Sequence, residues 1–202
     1  MNIYEKLEEI YPSPVCELKF NSTFELLVSV ILSAQCTDKR VNQVTEGLFK
    51  SYNTPEAFLS LSQDELEKKI YSCGFYHNKA KNILSMCADL VDRFGGIVPD
   101  NFDDLISLAG VGKKTASVVL AVGYGIPRIA VDTHVFRLSK RLGLADEKTP
   151  EKTQVALEKK VPKKYWIDFH YALVLHGRYI CKSQRPKCNE CKLVDYCKYY
   201  KK

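Results

Sequence analysis

Apolar residues recur along most of this chain at the three-to-four-residue spacing of an α-helix, and no stretch of useful length alternates as a β-strand would. The first predicted helix spans residues 2–11 and ends before Pro12. Ser22 or Thr23 is expected to cap a second helix, whose residues 24–32 are apolar nearly all round and therefore buried. The pattern therefore indicates a mainly helical chain. Further helices are predicted over 38–51, 55–60, 63–71, 77–94, 101–108, 113–122, 132–142, 150–160 and 164–178.

Composition places the chain among soluble globular proteins. Its 202 residues are 46% hydrophobic and 27% charged, outside the compositions typical of disordered, collagen-like or membrane proteins. The longest apolar run, residues 24–34, contains a glutamate and is much shorter than the roughly 18 to 20 residues that cross a bilayer. The N-terminal segment lacks the basic flank and apolar core of a signal peptide, so a cytoplasmic protein without stable disulfides is expected.

The charge is distributed unevenly along the chain. The formal net charge is +6, but residues 1–109 carry 10 Lys and Arg against 16 Asp and Glu, whereas residues 110–202 carry 20 against 8. Within the second part, segments 110–141 and 181–202 each hold a net charge of +5. Two such basic segments favour a polyanion such as nucleic acid as the partner, although solvated surface lysines would produce the same count.

Four of the eight cysteines are clustered near the C-terminus in the pattern C-x6-C-x2-C-x5-C, formed by Cys181, Cys188, Cys191 and Cys197. In a reducing compartment, four thiols within 17 residues indicate a metal site rather than core cysteines. Both a structural zinc and an iron–sulfur cluster take four thiolates. Zinc ribbons usually contain two C-x2-C pairs and this segment has one, so the spacing favours a cubane cluster and leaves zinc open.

A tight turn with two glycines joins the helices predicted on either side of the run L-A-G-V-G-K-K-T at residues 108–115. Gly110 and Gly112 would let a ligand approach the backbone closely, and the unpaired amides that open the next helix attract an anion such as a DNA phosphate. An ordinary helix connection with glycines for steric relief is the alternative.

Lys113 and Lys114 occupy the first turn of that helix, where the helix dipole and the neighbouring like charge both disfavour a cation. These effects favour a neutral amine in one of the lysines, and a neutral amine is a nucleophile. Two lysines that bind phosphate as point charges are an equally good interpretation.

Asp132 follows the apolar residues 129–131 and precedes a predicted helix, so its default role is that of an N-cap. A carboxylate in a partly dry cleft can also take a proton from an amine or stabilise a cationic sugar. Capping uses only part of its acceptor capacity, so the two roles are compatible.

Taken together and in order, these motifs resemble the endonuclease III family of bifunctional DNA glycosylases/AP lyases, within the helix-hairpin-helix superfamily. The resemblance covers nearly the whole chain. It is carried by L-A-G-V-G-K-K-T-A, I-A-V-D-T-H-V-F-R, L-H-G-R-Y-I-C, the cysteine pattern, and the earlier segments L-S-A-Q-C-T-D and G-F-Y-H-N-K-A.

The resemblance implies a two-lobed, all-α helix-hairpin-helix DNA glycosylase fold with a DNA-binding cleft between the lobes. A six-helix lobe would comprise residues 16–126 and end with the helix-hairpin-helix. Residues 1–15 and 127–202 would form a second helical lobe, with a [4Fe-4S] cluster held by the four clustered cysteines in a C-terminal loop.

The implied activity is removal of oxidised pyrimidines from duplex DNA, followed by cleavage of the abasic site through β-elimination. Lys114 matches the family's nucleophile, which forms a Schiff base, and Asp132 its catalytic aspartate. The damaged base would be flipped out of the duplex, and Gln35 and Phe75 match side chains that enter the vacated stack. Further DNA contacts are expected from the hairpin region, from the helix after Asp132 and from the loop between the first two clustered cysteines: Gly110, Val111, Gly112, Lys113, Thr115, His134, Arg137, Lys182, Arg185 and Lys187. For His134 a structural role is an equally good interpretation.

The expected partner is duplex DNA that contains oxidised pyrimidines or abasic sites, bound by a monomer in the cytoplasm at the nucleoid and away from membranes. Two other functions stay open from the residues alone. One is a non-catalytic DNA-binding protein in which the hairpin and a structural zinc only grip the backbone. The other is a monofunctional glycosylase that removes bases without cutting the strand.

Four positions depart from the family pattern. Ala109 stands where the family has proline, so the turn loses some preorganisation. Phe75 replaces leucine at the inserted position, where an aromatic ring can stack on bases, while Cys36 replaces alanine and His77 replaces asparagine. These departures bear on lesion preference and leave the reaction type unchanged.

Overall fold

The computed structural model describes residues 2–200, and within this part of the chain the fold is all-α, without a β-strand. Every helix expected from the apolar spacing is present, with ends that differ from the expectation by at most three residues. The helices are α1 Ile3–Ile10, α2 Thr23–Leu32, α3 Asp38–Leu48, α4 Pro55–Leu59, α5 Gln63–Ile70, α6 Tyr76–Phe94, α7 Phe102–Ser107, α8 Lys113–Gly123, α9 Thr133–Arg141, α10 Pro150–Lys160 and α11 Trp166–Tyr179.

Four short 3-10 helices lie between or after these elements, and the sequence pattern does not predict them. Three residues are too few to display an apolar period, so no such signal exists for elements of this length. The 3-10 helices are Tyr71–Cys73, Lys163–Tyr165, Cys188–Glu190 and Val194–Tyr196.

Internal contacts divide the chain into two compact units, of which Cys16–Ile126 is one. It contains seven α-helices, α2 to α8, where the family resemblance implied six. The apolar pattern itself predicts all seven, including the five-residue α4. That short helix forms because Thr54 caps it and Pro55 occupies its first turn, where a missing amide hydrogen costs nothing.

Helix α2 is the buried helix of this unit. Every residue from Phe24 to Leu32 is buried, in agreement with an apolar surface that extends nearly all round the helix. Ser22 is the cap, since its hydroxyl accepts a hydrogen bond of 3.1 Å from the amide of Glu25. Helix α2 packs against α3, α6 and α8, while α4 and α5 pack against α6.

The other unit combines the described residues before Cys16 with those from Pro127 onward. Helices α1 and α9 pack against α11, and α10 packs against α9. Leu193 and Cys197 from the cysteine-rich segment are part of the same core, so this segment is packed into the unit. Lys201 and Lys202, which belong to the second basic segment, lie outside the described residues. Among residues 2–200, no helix is long and apolar enough to pass through a membrane.

Candidate functional site

The turn between α7 and α8 depends on two glycines for different reasons. Gly110 has a φ of 76°, which favours glycine, and a Cβ there would lie 2.9 Å from the Cβ of Asn82. Gly112 is the N-cap of α8, with φ −87° and ψ 172°, and it offers no side chain to cap the helix. Val111 between them is buried, and its amide donates to the carbonyl of Leu108 at 3.1 Å. The opening amides of α8 are therefore left to an external acceptor, the arrangement that suits a phosphate.

Lys113, Lys114 and Thr115 form the first turn of α8. Both lysine side chains are exposed, and Thr115 is half-buried. Both lysines belong to the positive end of the helix dipole, next to the amides that open α8. This placement agrees with a nucleophilic role and with a phosphate-binding role. The two roles are therefore distinguished by a test of chemical reactivity and not by the geometry.

Asp132 caps α9, as its position in the sequence predicts. Its Oδ1 accepts a hydrogen bond of 2.8 Å from the amide of Val135, and the helix begins at Thr133. The cap engages only one carboxylate oxygen, so Oδ2 is not needed for it. The side chain is half-buried, so it is held in place while part of it is accessible to a substrate.

Arg137 on α9 is used largely inside its own unit. Its Nη2 donates to the carbonyls of Gly177 and Cys181 at 3.0 Å, and its Nε donates to Cys181 at 3.2 Å. The Nδ1 of His134 lies 3.3 Å from the same Nη2, and burial lowers the pKa of this histidine. Arg137 therefore ties α9 to the first clustered cysteine. The DNA contacts expected of His134 and Arg137 stay predictions.

Helix packing explains the glycine of the motif L-H-G-R-Y-I-C, which is Gly177. A Cβ on Gly177 would lie 2.8 Å from the Cβ of His134 and 2.9 Å from its Nδ1. Helices α9 and α11 therefore approach each other too closely at this point for any side chain on Gly177. The close approach is also what brings the carbonyl of Gly177 within reach of Arg137.

The four clustered cysteines surround one cavity. Cys181, Cys188, Cys191 and Cys197 all line it, and apolar residues close its sides. Burial raises the pKa of Cys191, and the other three thiols raise it further, as expected of thiols that face each other. Among residues 2–200, no three His, Cys, Asp or Glu side chains converge as ligands of a single metal ion.

Arg141, which the sequence analysis missed, fixes the segment that follows the first cysteine. Its Nη1 donates to the Sγ of Cys181 at 3.3 Å and to the carbonyl of Lys182 at 2.7 Å, and its Nη2 donates to Ser183 at 3.0 Å. The guanidinium also lies 4.4 Å from the ring centroid of Tyr199. One side chain from α9 thus holds both ends of the cysteine-rich segment.

The predicted basic loop between the first two cysteines is exposed but fixed. Lys182, Arg185 and Lys187 are all exposed. The amides of Lys182 and Lys187 both donate to the carbonyl of Ile180 at 3.0 Å, which closes the loop at its base. The Nζ of Lys187 lies 3.3 Å from a carboxylate oxygen of Glu190. The loop therefore presents three basic side chains on an ordered backbone, and their contact with DNA stays a prediction.

Gln35 and Phe75 lie on two exposed loops with strained backbones. Their φ values are 54° and 48°, in the left-handed region that residues with a Cβ rarely adopt. Among the described non-glycine residues, positive φ occurs at Ser13, Gln35, Phe75 and Arg185, and the last three are predicted DNA contacts. The ring of Phe75 is 63% exposed. Strain of this kind persists where the surrounding structure imposes it, commonly at binding sites.

Lys79 is a second residue that the sequence analysis missed. It is 6% exposed, and its ammonium is hydrogen-bonded to backbone carbonyls beneath the two exposed loops. A signal for it exists in the sequence. Lys79 lies four residues before Ile83 and seven before Met86, which places it on the apolar stripe of α6 where a lysine is unexpected.

His176 links α1 to the cysteine-rich segment. Its Nδ1 lies 2.9 Å from the hydroxyl of Tyr11, and its Nε2 lies 3.3 Å from the Sγ of Cys191. Burial lowers the pKa of His176 to about 4, so the ring is neutral near neutral pH. A neutral ring with one partner at each nitrogen orients the third clustered cysteine.

Comparisons with known proteins agree with these features. Residues 28–163 match the HhH-GPD superfamily of base excision DNA repair proteins. Endonuclease III of Haemophilus influenzae is 47% identical over 202 residues, which are 100% of this chain and 96% of the relative. Endonuclease III of Bacillus subtilis is 47% identical over 195 residues, which are 96% of this chain and 89% of the relative.

Solved structures give the same result. A non-covalent endonuclease III–DNA complex has a TM-score of 0.94 and 44% identity, over 98% of this chain and 93% of that one. A trapped endonuclease III–DNA covalent intermediate has a TM-score of 0.94 and 45% identity, with the same coverage. A thermostable thymine-DNA glycosylase, 23% identical with a TM-score of 0.88, covers 98% of this chain and 94% of that one and shares the fold.

Proposed function

Because the chain belongs to the endonuclease III family of HhH-GPD base excision DNA repair proteins, we propose that it removes damaged bases from DNA and then cuts the strand. It is a bifunctional DNA glycosylase/AP lyase. The single observation that carries this conclusion is the exposed Lys114 in the first turn after the hairpin. The chain that contains it is 45% identical to a protein trapped covalently on DNA. A non-catalytic DNA-binding protein would need no nucleophile there.

Lys114 is the proposed nucleophile. Its neutral amine attacks C1′ of the damaged nucleotide, the bond from C1′ to the base breaks, and the base leaves with a proton. Opening of the sugar ring gives a Schiff base between the lysine and C1′. Loss of a C2′ proton then expels the 3′ phosphate by β-elimination, which cuts the strand. Hydrolysis frees the lysine and leaves an unsaturated aldehyde on the 3′ end.

Asp132 is the proposed partner of this reaction. Its carboxylate accepts the proton that Lys114 must lose and stabilises the positive charge that develops on the sugar as the base departs. The cap on α9 holds the carboxylate by Oδ1, so its orientation is set before the substrate binds.

DNA is the proposed partner, bound as a duplex that contains an oxidised pyrimidine or an abasic site. The amides at Gly112 and the start of α8 bind the phosphate backbone, together with the basic side chains near the hairpin. Gln35 and Phe75 fill the space that the flipped nucleotide leaves, since an exposed aromatic ring can stack on neighbouring bases. We place the monomeric protein in the cytoplasm at the nucleoid, where this substrate is found.

A [4Fe-4S] cluster is the proposed occupant of the cavity between Cys181, Cys188, Cys191 and Cys197. Four cysteines that line one cavity supply the four thiolates that such a cluster takes, and the single C-x2-C pair favours it over a zinc ribbon. When bound, the cluster crosslinks the C-terminal segment and so stabilises the basic loop at residues 182–187. Protein purified without oxygen should contain iron and sulfide in equal amounts, and stoichiometric zinc in their place would contradict the cluster.

Borohydride trapping tests the proposed activity. Incubation with a duplex that contains an abasic site should yield a covalent protein–DNA adduct, because borohydride reduces the Schiff base to a stable amine. Lys114→Ala should yield none. Lys113→Ala is the matched comparison, since it removes an equally exposed lysine from the same turn; it should weaken DNA binding and still form the adduct.

Two results would count against this proposal. Absence of any adduct with the unaltered protein would favour base removal alone or DNA binding alone. An undiminished adduct in Lys114→Ala would place the nucleophile elsewhere.

A further inference from the structure

A buried ammonium joins two exposed loops of the Cys16–Ile126 unit. The Nζ of Lys79 donates to the carbonyls of Leu32 at 2.7 Å, Ala34 at 2.8 Å and Cys73 at 2.7 Å. An ammonium has three N–H groups, so each of them has a partner. Because all three acceptors lie within 2.8 Å of one atom, the backbones that carry them are held close together.

One of these carbonyls belongs to Leu32, the last residue of α2, and a second to Ala34, which follows the C-cap Ser33. The last carbonyls of a helix lack partners within the helix, and the negative end of its dipole favours a cation. Lys79 thus caps α2 from another element, with an ammonium that comes from α6. Burial lowers the pKa of Lys79, while the nearby Cys73 and Cys36 act in the opposite direction. The three hydrogen bonds and the helix end together offset the desolvation of the charge.

The third carbonyl belongs to the segment that leads to Phe75. Cys73 ends a 3-10 helix, and Gly74 and Phe75 follow it, both with positive φ, before α6 begins. Lys79 also donates its amide to the carbonyl of Phe75 at 3.1 Å, as part of the first turn of α6. The same residue therefore holds the Phe75 loop through its side chain and through its backbone.

The loop of Gln35 is held from both sides. Ala34, which precedes Gln35, accepts a hydrogen bond from Lys79, and the amide of Cys36, which follows it, donates to the carbonyl of Ser33 at 3.0 Å. Gln35 lies between these attachments with a φ of 54°. Neither loop can move without breaking contacts to the other.

We propose that Lys79 is a positioning residue that holds the Gln35 and Phe75 loops as one unit, so that both side chains enter the DNA stack together. This inference rests on the proposed function, since it concerns how that site engages duplex DNA. Lys79 touches neither the sugar nor the base; it acts through the two loops. An apolar residue at this position would fill the space but leave three carbonyls without a donor, and both strained loops would relax.

A comparison of two substrates separates positioning from general stability. Lys79→Met removes the ammonium and keeps an unbranched side chain of similar length. A duplex with an abasic site requires the loops to fill the stack opposite an intact strand, whereas a single-stranded abasic oligonucleotide requires only Lys114 and the β-elimination. We expect strand cleavage of the duplex to fall about ten- to a hundredfold, the range for a misplaced positioning group, and cleavage of the single strand to stay within about twofold.

Lys68→Met is the matched control. Lys68 is an exposed lysine of α5 in the same unit, so its replacement removes the same charge without touching the loops. Both substrates should be cleaved as by the unaltered protein. Lys79→Arg serves as a second variant, and it decides the question if Lys79→Met does not fold. Its planar guanidinium keeps the charge but cannot direct donors at three converging carbonyls, so it should also lose duplex cleavage selectively.

The outcomes are distinct. Selective loss on the duplex in folded Lys79 variants supports the positioning role. The positioning role is overturned if the unaltered protein is active and the Lys79 variants lose the same fraction of cleavage on both substrates, or lose none on either. If the unaltered protein cleaves neither substrate, the proposed function fails, and this inference fails with it.

Discussion

The carboxylate of Asp132 combines an observed structural role with a proposed catalytic one. One oxygen caps α9 through the amide of Val135, and the proposed chemistry needs the other. Arg137, a predicted DNA contact, also has a structural role. Its donors bind the carbonyls of Gly177 and Cys181 and so hold the helix that Asp132 caps. A functional side chain that is also a structural one has a fixed geometry, which is what electrostatic stabilisation of a transition state requires.

Replacement of Asp132 by asparagine separates its two tasks. Asparagine caps helices as well as aspartate does, so the free energy of unfolding should change by less than about 0.5 kcal/mol. The missing negative charge should lower single-turnover base release by about 10²- to 10⁴-fold, the range for general acid–base groups. Thermal melting and single-turnover kinetics on a duplex with one damaged base measure the two effects.

Asp132→Ala is the comparison for this variant. It should lose the same activity and, in addition, about 1 kcal/mol of stability, because alanine cannot cap the helix. An asparagine variant that turns over normally would restrict Asp132 to its capping role.

At the scale of elements, the turn between α7 and α8 shows how a short connection becomes a binding feature. The family's proline is absent at Ala109, so rigidity must come from elsewhere in the turn. It comes from the buried Val111, from Asn82, which lies close to where a Cβ of residue 110 would be, and from the bond between the amide of Val111 and the carbonyl of Leu108. Tertiary contacts thus replace a constraint that proline would supply locally.

Gly110→Ala should disrupt this turn. The new Cβ would meet Asn82 at 2.9 Å, and φ at 76° is unfavourable for alanine. We expect a loss of about 1 to 2 kcal/mol in the free energy of unfolding and weaker binding to duplex DNA. Denaturant unfolding and fluorescence anisotropy with labelled duplex measure both quantities.

Gly47→Ala is the control for the turn variant. Gly47 lies within α3, and no atom would come within 4 Å of its Cβ. Its replacement should stabilise the protein by about 0.5 to 1 kcal/mol through a higher helix propensity and leave DNA binding unchanged. A Gly110→Ala variant as stable as Gly47→Ala would show that the turn can be built without a glycine.

At the scale of the whole molecule, the excess of basic residues and the candidate functional residues lie in the same part of the chain. The acidic residues are concentrated before residue 110, whereas Lys114, Asp132 and the clustered cysteines all lie in the basic part of the chain. A bound [4Fe-4S] cluster and its four thiolates would contribute about −2, which lowers the formal charge without removing the basic loop beside it. The polyanion is therefore expected to contact the segments 110–141 and 181–202.

The affinity for duplex DNA should depend steeply on salt. Each phosphate neutralised by a lysine or arginine contributes about −0.9 to the slope of log K against log salt. Replacement of Lys182 and Arg185 by alanine should make this slope shallower by about 1 to 2, while Lys68→Ala, on α5, should leave it unchanged. A binding constant of the unaltered protein that barely varies between low and physiological salt would contradict a phosphate-based interface.

The helices and most of the candidate chemistry follow from the amino-acid sequence alone. Each of these features depends on residues a few positions apart, so a short stretch of sequence is enough to recognise it. The features are the helical spacing, the caps at Ser22 and Asp132, the glycines of the hairpin and the cysteine spacing. The motif order in turn indicated the family, which the comparisons confirmed.

The contacts that hold these elements in place are seen only in the tertiary structure. Lys79 binds a carbonyl 47 residues earlier, and Arg141 donates to a thiol 40 residues later, so no local pattern could predict either bond. The positive φ values of Gln35 and Phe75 oppose the intrinsic preference of both residues, so local propensity does not predict them. A sequence specifies helices through neighbouring residues, whereas strain, buried charge and a shared cavity arise only where distant residues meet.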